Sequence, residues 1–227
     1  MLHKLFPLLA ILVMAVSLIG ACQTVPKKTE AISPEINPKD AEDYNNRGDA
    51  YLSKGQFDLA IADFNKAIEI NPMYAKAYYN RGNAYNVLGQ LDLAIADFDK
   101  VLEINPKYAA AYSCRGGAYR GKGEFDLAIA DFNKALEINP KLAFIYIERG
   151  DIYRISKGQF DLAIADFNEA LKIDPKNALA YYGLAGAYYK KKEYDKCLEN
   201  AKKAQELGLE IDPKSFEILR KLLEKER

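Results

Sequence analysis

Histidine is almost missing from this chain of 227 residues: the only one, His3, lies in an apolar leader. Without it the remaining chain lacks the commonest general base and the commonest metal ligand, which excludes Ser-His-Asp and Cys-His catalysis. Tryptophan is absent altogether. The three cysteines, Cys22, Cys114 and Cys197, have neither the density of a disulfide framework nor the spacing of a zinc site. There is no excess of either charge, 32 bases against 32 acids, so no global field favours nucleic acid or an anionic membrane surface. No phosphate-binding loop and no metal-ligand constellation is present, and no enzyme activity or cofactor is expected. What remains is an ordinary soluble composition, with 16 tyrosines and 10 phenylalanines as its aromatic content.

The first residues have a separate character. Met1-Leu2-His3-Lys4 is weakly basic, Leu5 to Ile19 is apolar apart from Pro7 and Ser17, and Gly20-Ala21-Cys22 closes the run. A basic start, an apolar stretch and a small-residue exit are the parts of a secretory signal peptide. Ile19-Gly20-Ala21-Cys22 resembles the lipobox of bacterial lipoproteins. That resemblance implies cleavage after Ala21, with diacylglycerol and an N-acyl chain attached at Cys22. A signal peptide cut without lipidation and an uncleaved anchor are the alternatives, since the run is at the lower edge of what spans a bilayer. Two or three buried acyl chains hold a protein to a membrane essentially permanently. Gln23, not Asp, follows the cysteine, which in Gram-negative lipoproteins implies the outer membrane, facing the periplasm. From Gln23 to Asp40 the chain carries Pro26, Pro34 and Pro38 with no apolar periodicity. It reads as a flexible tether with a span of roughly 25 Å.

Internal repetition dominates the rest. The strings GQFDLAIADFNKAIEINP, GQLDLAIADFDKVLEINP, GEFDLAIADFNKALEINP and GQFDLAIADFNEALKIDP begin at Gly55, Gly89, Gly123 and Gly158, spaced by 34, 34 and 35 residues. Each follows a tyrosine-flanked stretch. Within a unit the apolar period is helical: Tyr44, Gly48, Tyr51 and Leu52 share one face, as do Phe57, Ala60, Ile61, Phe64, Ala67 and Ile68. Gly55 ends the first helix and Asn71-Pro72 stops the second. Small Gly48 and Ala60 let the pair approach, and Tyr51 and Phe64 fill the gaps. Arg47, Arg81, Arg115 and Arg149 recur with Asp63, Asp97, Asp131 and Asp166. Pairing across the two helices of a unit is one explanation. Common descent of near-identical repeats is the other.

Tyr44, Gly48, Tyr51, Ala60, Phe64, Ala67 and Pro72 fall on the pattern of the tetratricopeptide repeat (TPR) family, which the chain strongly resembles. The resemblance implies an all-α fold: a TPR solenoid of five helix-turn-helix repeats with a C-terminal capping helix. The expected divisions are a leader over 1–21, lipidated Cys22 and tether over 22–40, and repeats over 41–74, 75–108, 109–142 and 143–177. An atypical fifth repeat follows over 178–211, and a cap over 212–227. In the fifth, Ala185 replaces the glycine, Cys197 the first alanine and Ala201 the aromatic. Asp212-Pro213 opens the cap as N-cap and first residue.

In TPR proteins the groove lined by first helices holds an extended peptide or a helix of a partner. Carried over, it is lined here by Asn45, Asp49, Lys76, Tyr79, Asn83, Ser113, Phe144, Ile147 and Asp151. Most of the sixteen tyrosines are expected in the core. The resemblance as a whole implies a lipid-anchored scaffold or adaptor of the bacterial cell envelope, with envelope proteins as partners and the membrane engaged through lipid. A glycan- or peptide-ligand module, or a periplasmic chaperone, is the other class. The sequence leaves the oligomeric state open.

Overall fold

The computed structural model describes residues 38–226, so the leader, Cys22 and nearly all of the tether lie outside the described residues. The described residues are all helical and divide into two units, 38–138 and 139–226. The first holds three helix pairs: α1 (Ala41–Ser53) with α2 (Phe57–Ile70), α3 (Ala75–Val87) with α4 (Leu91–Ile104), and α5 (Ala109–Gly121) with α6 (Phe125–Ile138). The second holds α7 (Ala143–Ile152), continued by a π-helical turn over Tyr153–Lys157, then α8 (Phe160–Ile173), α9 (Ala178–Lys190), α10 (Tyr194–Glu206) and α11 (Pro213–Glu226). Among the described residues no helix is long and apolar enough to cross a membrane.

Local chemistry explains the boundaries. Asp40 caps α1 by accepting from the Asp43 amide at 2.9 Å. The turn after α1 needs a left-handed residue, which Gly55 supplies at φ 72°. The fifth pair makes the same turn with Lys192 at φ 63°, a conformation that costs a side chain about 1–2 kcal/mol. After α2 and α4, Asn71 and Asn105 accept from the amides two residues on, across the intervening proline, which closes the turn into the next pair. The one-residue insertion before Gly158 is absorbed as the π turn rather than as a longer loop.

The core of each of the first four pairs is a phenylalanine seated on a glycine. A Cβ built on Gly82 would come within 2.8 Å of the Phe98 ring, and the same contact recurs at Gly48 on Phe64 and Gly116 on Phe132. The four phenylalanines Phe64, Phe98, Phe132 and Phe167 are fully buried. In the fifth pair both members change together: Ala185 is tolerated because Ala201 has replaced the aromatic.

The arginines and aspartates pair within their own units, which decides between the two sequence explanations. Arg47 reaches Asp63 with Nε and Nη2, both at 2.7 Å, and Arg81–Asp97, Arg115–Asp131 and Arg149–Asp166 repeat this fork at 2.6–2.8 Å. Each guanidinium also stands over tyrosine: Arg47 is 5.6 Å from the Tyr44 ring and 6.0 Å from that of Tyr51. The Nη1 atoms reach backwards along the chain. Arg81 donates to Asn65 and Arg115 to Asp99, both in the preceding pair, at 2.5 Å. Burial raises the Asp97, Asp131 and Asp166 carboxyls, and the arginine beside each opposes the rise.

Most of the tyrosines lie in or against the core, though not fully enclosed. Only Tyr79 is buried; the other fifteen are half-buried. Their rings pack against the buried clusters, and several also flank the arginines, which suits an amphipathic ring.

Candidate functional site

The first helices of the unit 38–138 lie side by side, α1 beside α3 and α3 beside α5. Their helical period places Asn45 and Asp49 on α1, Tyr79 and Asn83 on α3, and Ser113 on α5 at matching positions, with Lys76 near the start of α3. Of these, Asn45, Tyr79, Asn83 and Ser113 are buried, more so than an open lining requires. Asp49 is half-buried and Lys76 exposed.

The reasons for burial differ. Asn45 accepts from Asn80 Nδ2 at 3.0 Å, so α1 and α3 are bridged by an amide pair. The Tyr79 ring packs 5.2 Å from that of Tyr108 and 6.1 Å from that of Phe98, and its hydroxyl lies 3.6 Å from Cys114 Sγ. Burial pushes the Tyr79 hydroxyl up, and a hydrogen bond with the Asn83 side chain pulls the other way. Burial likewise raises the Asp49 carboxyl, opposed by the Lys76 ammonium.

Three buried polar atoms on this face have no hydrogen-bond partner: Asn45 Nδ2, Asn83 Oδ1 and Ser113 Oγ. One lies on each of α1, α3 and α5. Unmet buried donors and acceptors cost about 1–3 kcal/mol apiece.

In the unit 139–226, Phe144 and Asp151 are half-buried and Ile147 is buried, packed in a cluster with Ala163, Phe167, Ala180 and Leu184. Asp151 is occupied: Arg154 in the π turn donates to it from Nη2 at 2.7 Å and from Nε at 3.1 Å. Arg154 in turn lies over Gly186, where any Cβ would meet Nη1 at 3.0 Å.

Sequence reasoning missed Asn80 and Asn86. A signal for them exists, because Asn80, Asn83 and Asn86 recur every three residues on α3 and all three are buried. Among the described residues no group of three or more His, Cys, Asp or Glu is placed to hold a metal ion.

The repeated pair of helices, its glycine–phenylalanine seat and its closing proline turn coincide with what the sequence models detect. The model described as TPR repeat matches residues 48–89 and 150–192, and that described as tetratricopeptide repeat matches 75–108 and 109–142. The chain belongs to the tetratricopeptide repeat family. Among solved TPR structures, the crystal structure of MamA is 29% identical with a TM-score of 0.67, covering 70% of this chain and 93% of that one. YrrB, described as a TPR protein with an unusual peptide-binding site, is 28% identical with a TM-score of 0.63, covering 74% and 87%. The portion of MamA from residue 41 to its end, from Desulfovibrio magneticus RS-1, is 23% identical with a TM-score of 0.69 over 74% and 94%, which shows the fold alone. A search of curated proteins gave no match.

Proposed function

We propose that this TPR protein is a membrane-anchored scaffold of the bacterial cell envelope that receives an extended segment of a partner protein along its first helices. The observation that carries it is the polar face on α1, α3 and α5, where half-buried Asp49 and exposed Lys76 accompany Asn45, Asn83 and Ser113. A polar face of this kind across neighbouring helices favours a peptide over an apolar ligand. Asp49 and Lys76 at its edge add one charge of each sign, which sets the direction of a bound chain. The likeness to YrrB, which is described as having a peptide-binding site, agrees with this reading.

The anchor part of the proposal rests on the leader alone. Cys22 is the lipidated N-terminus after cleavage behind Ala21, and residues 23–40 let the repeats range over roughly 25 Å from the bilayer. If the cell is Gram-negative, Gln23 puts the protein on the periplasmic face of the outer membrane.

Two measurements test the parts separately. Cys22→Ser should move the protein from the membrane to the soluble fraction and remove the acyl mass from its N-terminal peptide. An unchanged membrane fraction refutes the anchor. Affinity capture from detergent-solubilised envelopes should lose its specific partner when Asp49→Ala and Asn83→Ala are combined, with the melting temperature checked in parallel. Identical captures from a folded variant and wild type refute the site.

A further inference from the structure

A cleft of about 540 Å³ opens between α9 and α10, walled by Tyr181 on one helix and by Asp195, Glu199 and Asn200 on the other. The protein shows four times over what normally fills this position. In the first four repeats an arginine stands on the ring equivalent to Tyr181, 5.5–5.6 Å away, and forks onto the aspartate equivalent to Asn200. In the fifth, Leu184 replaces that arginine and turns into the core, where it is 3% exposed. Asn200 replaces the aspartate.

The slot is only half refilled from within. Lys196 brings its Nζ to 5.2 Å from the Tyr188 ring, so it takes the second tyrosine that the arginines of the first three repeats also touch. It does so from the position where the other four repeats carry Leu59, Leu93, Leu127 and Leu162. The Tyr181 half stays open.

The chemistry around the open half has been rebuilt toward a cation from outside. Asn200 Nδ2 is tied to the Lys196 carbonyl at 2.8 Å, which leaves its Oδ1 as an acceptor for a ligand. Glu199 stands where the other repeats have Ala62, Ala96, Ala130 and Ala165, so the carboxylate lost from the buried position reappears on the exposed wall. Asp195 is exposed beside it. Of the two lysines in the wall, Lys203 is held by Glu206 at 3.0 Å. With Lys202 set against Asp195 and Glu199, the cleft keeps one net negative charge.

We infer that this cleft is a second binding site, which takes an arginine side chain of a partner polypeptide in the place left by the missing internal arginine. The guanidinium stacks on the Tyr181 ring, donates to Asn200 Oδ1, and faces the Glu199 and Asp195 carboxylates. The volume is of the size that holds a side chain with its flanking backbone rather than a free ion. The site belongs to α9 and α10 and is independent of the row of Asn45, Asn83 and Ser113.

The test is a heteronuclear NMR titration of the full chain in detergent micelles with the blocked peptide acetyl-Gly-Ser-Arg-Ser-Gly-amide. The same peptide carrying citrulline, a neutral isostere, is the control. Saturating shifts at the Asn200 side-chain amide and the backbone amides of 195–203 are expected. The citrulline peptide should bind at least fivefold more weakly. Asp195→Lys combined with Glu199→Lys changes two exposed residues, and should weaken the arginine peptide at least fivefold with an unchanged melting temperature. Leu184→Arg with Asn200→Asp restores the internal pair and should abolish the response. Equal binding of the citrulline peptide, saturation at residues away from the cleft, no saturation at all, or binding that survives the charge reversal would each overturn the assignment.

Discussion

Replacing Arg81 by leucine, the residue found at this position in the fifth repeat, asks whether the arginine fork holds a helix pair closed. In the intact protein Arg81 meets both Asp97 oxygens, at 2.8 and 2.6 Å, and the Asp97 side chain is 6% exposed. Leucine removes both charge-assisted bonds and the reach to Asn65, and leaves a buried carboxylate without a counter-ion. Breaking a fully buried pair from one side costs about 3–5 kcal/mol. Arg81 keeps some contact with water, so a loss of about 2–4 kcal/mol is expected here. Adding Asp97→Asn removes the stranded charge and copies the Leu184/Asn200 arrangement, so the double variant should recover at least half of the loss.

The pH dependence has a definite sign. Burial already raises the Asp97 carboxyl, and Arg81 opposes that rise, so removing Arg81 moves the folded-state pKa further above its unfolded value. The variant is then favoured while Asp97 is protonated, and its deficit grows as pH rises from about 4 toward neutrality. Urea unfolding followed by far-ultraviolet circular dichroism at about pH 5 and about pH 7.5 reads both effects. A single variant within about 0.5 kcal/mol of wild type, or a double variant less stable than the single, refutes the role given to the pair.

Gly82→Ala forces a Cβ to within 2.8 Å of the Phe98 ring and should cost about 1–3 kcal/mol in the same unfolding assay. Combined with Phe98→Ala it should cost less than the sum of the two single changes, because the fifth repeat packs Ala185 with Ala201. Lys192→Gly relieves the left-handed backbone at φ 63° and should raise stability by about 0.5–1 kcal/mol; a lower melting temperature would show that the lysine side chain matters more than the backbone. Burial pushes the Cys197 thiol up to about 12, so peptide mapping after iodoacetamide treatment at about pH 8 should find it unmodified in the folded protein and modified in denaturant.

The first four helix pairs were legible in the sequence because each carries its own punctuation: a left-handed glycine, a proline stop and a period of 3.6. The Arg–Asp fork was legible as a recurrence but not as a contact, since repetition by descent produces the same pattern. The tyrosines were legible as core-packing because helical spacing marks a face, but their incomplete burial was not, since spacing carries no measure of depth. Asn80 recurs only as Asn46 and Asn86 has no counterpart, so comparison between repeats gave them little weight. The cleft at Tyr181 was less visible still. Leu184 and Asn200 could be read as a lost pair, but the space they leave depends on Leu184 turning inward and on Lys196 covering only one of the two rings.

The backward reach of the arginines also bears on how nearly identical repeats find their correct neighbours while folding. The first three pairs share almost every packing residue, so the third could dock on the first with its core contacts intact. The Nη1 atom of Arg115 distinguishes the two dockings. On its proper neighbour it meets the carboxylate of Asp99, whereas on the first pair it would meet the neutral amide of Asn65. Asp99 is 45% exposed, so the preference amounts to no more than about 0.5 kcal/mol. A bias of that size need only act while both dockings still exchange. A single oxygen-for-nitrogen difference, Asp99 against Asn65, thus tilts a repetitive chain about twofold toward its proper neighbour.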